Sequence, residues 1–81
     1  MNNETFIKEA KRHLFAELYP GRQMSQPNFN GMFVPWLCKI GHNNKCLIGI
    51  VGSDDYYEIS YFGNEEVFVM DHYSLKKHKY I

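Results

Sequence analysis

The sequence lacks several features that would mark a specialised class of protein. Its two cysteines are too few for the disulfide framework of a small secreted domain, and no apolar run is long enough to cross a membrane. The first residues, Met1 to Glu4, make a largely polar start that shows neither the basic nor the apolar region of a secretion signal. We therefore expect a cytoplasmic protein with reduced thiols and no membrane association.

The chain also lacks an excess of charge of either sign. Nine basic and nine acidic residues cancel, which argues against a uniformly basic nucleic-acid binder and against an acidic mimic of nucleic acid. The 81 residues predict a single domain, 1–81, because a chain of this length buries only about 60–65% of its unfolded surface. So small a core leaves little room for an elaborate catalytic pocket.

The sequence does contain a helical periodicity of apolar residues near its N-terminus. Apolar side chains recur at three- and four-residue steps over residues 3–18, which predicts an amphipathic helix. Asn2 or Asn3 is suited to cap its first turn, and Pro20 with the glycine after it is suited to end the helix. The apolar positions are Phe6, Ile7, Ala10, Leu14 and Leu18.

Four strands are predicted after residue 31. Their ranges are 32–40, 46–51, 56–62 and 66–70. Pro35 has no amide hydrogen to donate, which places the first strand at a sheet edge or at a bulge. Gly63 and Asn64 predict a two-residue hairpin turn that sets Ile59 opposite Phe68. The expected fold is α+β, with an N-terminal helix packed on a four-stranded antiparallel meander and a short basic C-terminal extension.

The two cysteines stand symmetrically about the first predicted turn. Alternation of apolar residues before and after it predicts that Trp36, Cys38 and Cys46 share the face beneath the helix. Two buried, reduced thiols are the preferred interpretation, and a disulfide is an alternative. Cys38, His42 and Cys46 also form a C-x3-H-x3-C pattern, which would bind zinc if His13, His72 or water supplied a fourth ligand.

Catalytic motifs are missing from the sequence. Cys46, His72 and Asp71 can be written as nucleophile, base and orienting acid, but no nucleophile elbow, phosphate-binding loop or metal-ligating helix pair accompanies them. We therefore expect a protein that is not an enzyme and that uses no cofactor.

Candidate binding residues fall in two groups. The aperiodic segment 20–31 is long for so small a domain, and long loops are often functional. The free face of the sheet is the second group, where aromatic rings are expected. Interface cores are enriched in the Tyr, Phe, Met and Arg side chains that these regions carry. The predicted partner contacts are Arg22, Met24, Phe29, Tyr56, Tyr61 and Lys77; Met24 and Phe29 have a second interpretation, as plugs for the open end of the core.

These features favour a non-catalytic modulator that binds a larger protein or nucleoprotein. Small size and a bias towards Asn, Lys, Tyr and Ile suggest a phage or mobile-element inhibitor of a host enzyme or defence complex. One alternative is a small single-stranded nucleic-acid-binding protein that uses Tyr56, Tyr61 and Phe62 on the exposed face of the sheet and the rings and cations of segment 73–80. Another is a small metal-binding regulatory domain built on Cys38, His42 and Cys46. Strand addition at the Pro35 edge would make a homodimer, so both monomer and homodimer stay open.

Overall fold

One helix packs on one face of a four-stranded antiparallel sheet, which confirms the predicted α+β fold. The computed structural model describes residues 1–22 and 31–81. The sheet is a meander with strand order β1-β2-β3-β4. Its elements are α1 (Asn3–Leu18), β1 (Met32–Ile40), β2 (Asn43–Ile50), β3 (Tyr56–Phe62) and β4 (Val67–Tyr73). In the described ranges, α1 falls short of the length and apolarity that a membrane-spanning helix needs.

The helix has the bounds that its period predicts. Asn2 is the N-cap, and its side-chain oxygen accepts a hydrogen bond from the Thr5 amide at 2.7 Å. This satisfies one of the amides that a helix start leaves unpaired. At the other end, the Tyr19 amide donates to the Phe15 carbonyl at 2.9 Å, and Gly21 adopts a φ of +79°. Glycine reaches this left-handed conformation without the steric cost that a side chain brings.

The core lies between α1 and the first three strands. Phe6, Ala10 and Leu14 on the helix are fully buried, as predicted, and Leu18 packs against them from the half-buried margin. The strands contribute alternate residues, as expected where one side of a sheet is covered. The buried apolar residues of the strands are Met32, Cys46, Ile48, Tyr57 and Ile59.

A bulge in β1 changes which side chains face the helix. Phe33 pairs with Gly49 and Trp36 with Leu47, so Val34 and Pro35 share the place opposite a single residue of β2. The prediction that Pro35 lies at an edge or a bulge is confirmed on both counts. The extra residue reverses the alternation beyond it, because successive side chains point to opposite faces.

The predicted shared face for Trp36, Cys38 and Cys46 is therefore wrong. Cys46 pairs with Leu37, and Cys38 pairs with Lys45. Cys46 is buried beneath the helix, whereas Cys38 is exposed and Trp36 is 40% exposed on the other side. The two thiols thus point away from each other through the sheet.

The last hairpin also differs from the prediction by a shift of two residues. Ile59 pairs with Met70 rather than Phe68, because the connection has four residues, 63–66, and ends at Glu66 with a φ of +55°. Gly63 allows two neighbouring hairpins to approach closely. Its amide donates to the Asn43 side chain at 3.1 Å, and a Cβ at this position would collide with the carbonyl of His42. A shift of two keeps each β4 side chain on the face predicted for it. Residues 74–81, the basic extension, contain no helix or strand.

Candidate interaction surface

The side of the sheet opposite the helix carries a broad set of exposed apolar side chains. Within the described ranges no helix or strand covers it, and we call it the open face. Its members follow from the strand register and alternate with the core residues along each strand. Eight large apolar side chains on it have exposed fractions between 38% and 73%: Phe33, Trp36, Ile40, Tyr56, Phe62, Val67, Val69 and Tyr73.

One end of the open face is aromatic. Phe33, Gly49, Tyr56 and Tyr73 lie in one row across the four strands. The Phe33 ring lies over Gly49, where an added Cβ would collide with it. The same ring meets Tyr56 edge-on, with centroids 6.4 Å apart and an interplanar angle of 88°. Glycine in a strand often marks such a close approach, and here it leaves room for the tip of the Phe33 ring.

The centre of the open face carries its charges. Lys45 Nζ and Glu58 Oε1 form an ion pair at 3.0 Å, and Asp71 lies directly opposite Glu58 in the ladder. The hydrogen bond and charge of Glu58, helped by the charges of Tyr73 and Asp71, raise the pKa of Lys45 above its usual value. One lysine thus faces two carboxylates in the middle of an apolar surface.

The other end of the open face is a shallow apolar depression of about 300 Å³. Cys38, Ile40, Phe62 and the small Ser60 line it, and only 4% of the Ser60 surface is exposed. Its volume is enough for one apolar side chain of a partner.

Two of the predicted contact residues come together at the aromatic end. Tyr56 and Lys77 line one depression of about 410 Å³, along with residues of the β2–β3 connection and of the C-terminal extension. Tyr61 does not lie there: it has the opposite parity to Tyr56, faces the helix side and packs against Phe68, with ring centroids 4.8 Å apart. The expectation that Tyr61 stands on the free face is wrong.

Of the partner contacts predicted in segment 20–31, the structure describes only one. Arg22 is exposed just after the helix, and its amide donates to the Tyr19 carbonyl at 3.1 Å. Met24 and Phe29 lie outside the described residues. Their predicted roles, as contacts or as plugs of the core, stay predictions.

Neither the disulfide nor the zinc alternative fits the cysteine geometry. Both cysteines are free and lie on opposite faces of the sheet, so the C-x3-H-x3-C pattern does not converge. In residues 1–22 and 31–81, no three His, Cys, Asp or Glu side chains form a group that would hold a metal ion. Burial raises the pKa of the Cys46 thiol to about 11, against a smaller opposing effect of Lys11. Cys46 thus behaves as a small apolar core residue, as the preferred interpretation of it predicts.

The possible nucleophile, base and acid are not brought together either. Asp71 and His72 are neighbours in β4 and therefore point to opposite faces. His72 Nε2 instead bonds Asp55 Oδ2 at 2.9 Å, and its ring stacks on Tyr57 with centroids 4.6 Å apart. This pair joins the end of β4 to the β2–β3 connection. Asp71 therefore cannot orient His72 towards Cys46.

Sequence reasoning missed much of the open face. It placed Trp36 beneath the helix, gave no role to Phe33, and considered Tyr73 only as part of the C-terminal segment. For Trp36, the signal that would have found its true side is Pro35: a bulge there reverses the alternation in the second half of β1, and Leu37 then becomes the residue that packs against the core.

Comparison with known proteins adds a family but no function. No curated protein and no solved structure matches the chain. A family model, described as a family of unknown function (DUF6275), matches residues 5–81. The match spans the core of α1, the whole sheet and the C-terminal extension, and the chain belongs to this family of unknown function.

Proposed function

We propose that the protein is a non-catalytic binding protein whose open face docks on a larger protein and modulates it. The observation that carries the proposal is the set of eight exposed apolar side chains on one side of the sheet. Isolated exposed apolar residues are ordinary, whereas the largest apolar patch of a monomer, typically about 300–600 Å², is often functional.

The size of the open face supports this. Four strands spaced at about 4.8 Å and about seven residues long at 3.3 Å each give a face of roughly 440 Å². Stable protein interfaces bury about 800 Å² on each partner, so the face supplies an interface core and its surroundings supply the rim. The C-terminal extension beside Tyr56, with Lys77, lies where such a rim would be.

The composition of the open face also suits a protein partner. Trp, Tyr and Phe dominate interface cores. The aromatic row presents Phe and Tyr side chains, and Trp36 lies in the next row. In its concrete form, the proposal is an inhibitor from a phage or mobile element that occupies a surface of a host enzyme or defence complex. Small size and residue bias support that origin.

The test is capture of a partner by immobilised chain with matched surface variants. Trp36→Ser removes the largest side chain of the open face, whereas Val51→Ser removes a 74% exposed apolar side chain in the β2–β3 connection. We expect the unmodified chain and Val51→Ser to retain the same protein from a host lysate, and Trp36→Ser to lose it by at least about tenfold, as for a residue worth more than 1.4 kcal/mol. Equal capture by a folded Trp36→Ser variant would contradict the proposal.

Single-stranded nucleic acid is the second candidate. The observation that favours it is the pairing of Tyr56 with Lys77, His78 and Lys79 around one depression, because rings and cations together form stacking sites for bases. Glu58 and Asp71 at the centre of the open face oppose it. A salt titration separates the two: oligonucleotide binding that weakens steeply with salt favours nucleic acid over protein docking.

A further inference from the structure

The two outer edges of the sheet differ in how receptive they are to another strand. β1 forms one edge, and the bulge at Pro35 interrupts its ladder. Proline and bulges are devices by which natural sheets keep an edge from pairing with other chains, since they remove a donor and bend the strand. β1 is therefore a protected edge.

The edge formed by β4 has none of these devices. Val67–Tyr73 pairs with β3 residue by residue without a bulge, contains neither proline nor glycine, and has Asp71 as its one acidic or basic residue apart from His72. Within the described ranges no strand pairs with its outer side. An antiparallel strand points half of its backbone groups towards each side, so the outer groups of β4 offer hydrogen bonds to an added strand.

A groove runs beside this edge on the helix side. It has a volume of about 330 Å³ and lies between His13 and Glu17 on α1 and Phe68 and Met70 on β4. The His13 ring packs on Phe68 with centroids 4.3 Å apart, which leaves Met70 as the more open part of the groove floor. Strand-addition sites combine a backbone edge with pockets for alternate side chains, and both are present here.

We propose that this edge binds the same edge of a second copy, so that two β4 strands pair antiparallel about a two-fold axis at Met70. Met70 is the middle residue of the strand, so this register uses its full length. It sets Phe68 opposite His72 of the second copy, and Val69 opposite Asp71 of the second copy. The ring pair lies on the helix side, where cross-strand aromatic pairs stabilise a sheet. An isologous two-fold contact of this kind is the commonest oligomer symmetry.

The contact area sets the strength of the dimer. Seven residues at about 3.3 Å give a strip about 23 Å long, and a sheet thickness of about 10 Å gives roughly 500 Å² over both copies. Stable interfaces start at about 1,200 Å², so this dimer is weak and reversible, and dilution dissociates it. The contact joins the strand edges in the plane of the sheet, so of the open face it involves only the margin on β4, which carries Val67, Val69 and Tyr73. The rest of the open face stays available, and the contact does not rest on the proposed partner docking.

Oligomeric state and hydrogen exchange of the intact chain test the proposal. Sedimentation velocity from about 10 µM to about 1 mM is expected to show a shift from monomer to dimer by mass action. Over the same range, hydrogen exchange of the unmodified chain is expected to slow at the β4 amides that do not bond to β3. No substitution is involved in that measurement.

A matched pair of variants at Met70 locates the contact. Met70→Lys sets two lysines opposite each other across the two-fold axis, and like charges at opposed positions oppose pairing. Its aliphatic stem still covers the groove floor. We expect it to weaken dimerisation at least about tenfold, and Met70→Leu to leave it unchanged.

Two results would overturn the proposal. One is a chain that stays monomeric at all concentrations with fast exchange at the outer β4 amides. The other is a dimer that persists in Met70→Lys but dissociates in Trp36→Ser, because the open face would then be the contact. The first result does not bear on capture of a larger partner, whereas the second would place the second copy on the open face.

Discussion

The two cysteines give the sharpest test of the strand register, because the structure predicts opposite behaviour for them. Cys38 is exposed on the open face, and Cys46 has no exposed surface. A thiol reagent is expected to modify Cys38 quickly in the folded chain and to reach Cys46 only when the structure opens. The two sites therefore report separately on the two faces of the sheet.

The size of the difference follows from burial and ionisation. A stability of about 0.05–0.15 kcal/mol per residue gives this chain roughly 4–12 kcal/mol, so Cys46 is accessible in about one molecule in a thousand or fewer. The thiolate is the reactive form, and burial raises the pKa of Cys46 from 9.0 to about 11. At pH 8 this alone lowers its thiolate fraction about a hundredfold, from roughly 10% to roughly 0.1%.

The assay is time-resolved labelling with a maleimide or an aromatic disulfide, read by intact mass and peptide mapping. One label is expected on Cys38 in the fast phase, and a second on Cys46 at least about a thousandfold slower. Cys38→Ser removes the fast phase, and in concentrated urea both sites label together. Equal rates in the folded chain, or ready formation of a Cys38–Cys46 disulfide under mild oxidation, would refute the bulged register.

Three further predictions concern stability. Burial raises the pKa of Cys46 and of Tyr57 in the folded chain, and both groups are neutral when protonated. The stabilisation from Cys46 is therefore complete below pH 9 and is lost as pH rises towards about 11, and that from Tyr57 is lost in the same direction. Urea unfolding is expected to show this loss, at most roughly 3 kcal/mol for Cys46, and Cys46→Ala is expected to reduce it; an unchanged slope would contradict the assignment. Asn2→Ala removes the helix cap and is expected to lower the free energy of unfolding by about 1 kcal/mol in the same assay. An effect within error would mean that water satisfies the Thr5 amide as well as the Asn2 side chain does. Gly49→Ala displaces the half-exposed Phe33 ring and is expected to cost at most about 1 kcal/mol, the value of a lost cross-strand contact; in a Phe33→Ala background the cost should nearly vanish, and additive effects would mean that the ring does not lie over Gly49.

Local patterns were enough to predict the elements. The helix bounds agree with the prediction because its apolar period and its Asn2 cap are written within one short segment. The bounds of β1 and β3 also agree, since turn-forming residues flank them. β2 starts at Asn43 rather than at 46, because Gly41 and His42 alone make the turn. β4 runs on to Tyr73, where His72 stacks on Tyr57 and bonds Asp55.

The candidate site was less predictable, because it depends on pairing between distant residues. The sequence around Pro35 is compatible with a bulge and also with a regular strand. Only the packing of Leu37, rather than Trp36, against the core decides between the two. Gly63 resembles a turn glycine, yet it is required by its close approach to His42 in a neighbouring hairpin. Tyr61 is different: its parity relative to Tyr56 within one regular strand already excludes a shared face.

The bulge at Pro35 has a consequence for stoichiometry. A chain without Pro35 would form an unbroken β1 ladder in which Trp36 and Leu37 keep their present sides, because Val34 alone would then stand opposite Ile48. Such a chain would have two sheet edges able to accept another strand rather than one. Pairing of β1 in one molecule with β4 in the next would then repeat without closing, as in a filament. With a single receptive margin, association through the sheet ends when two molecules have met. One residue thereby separates a pair from a polymer.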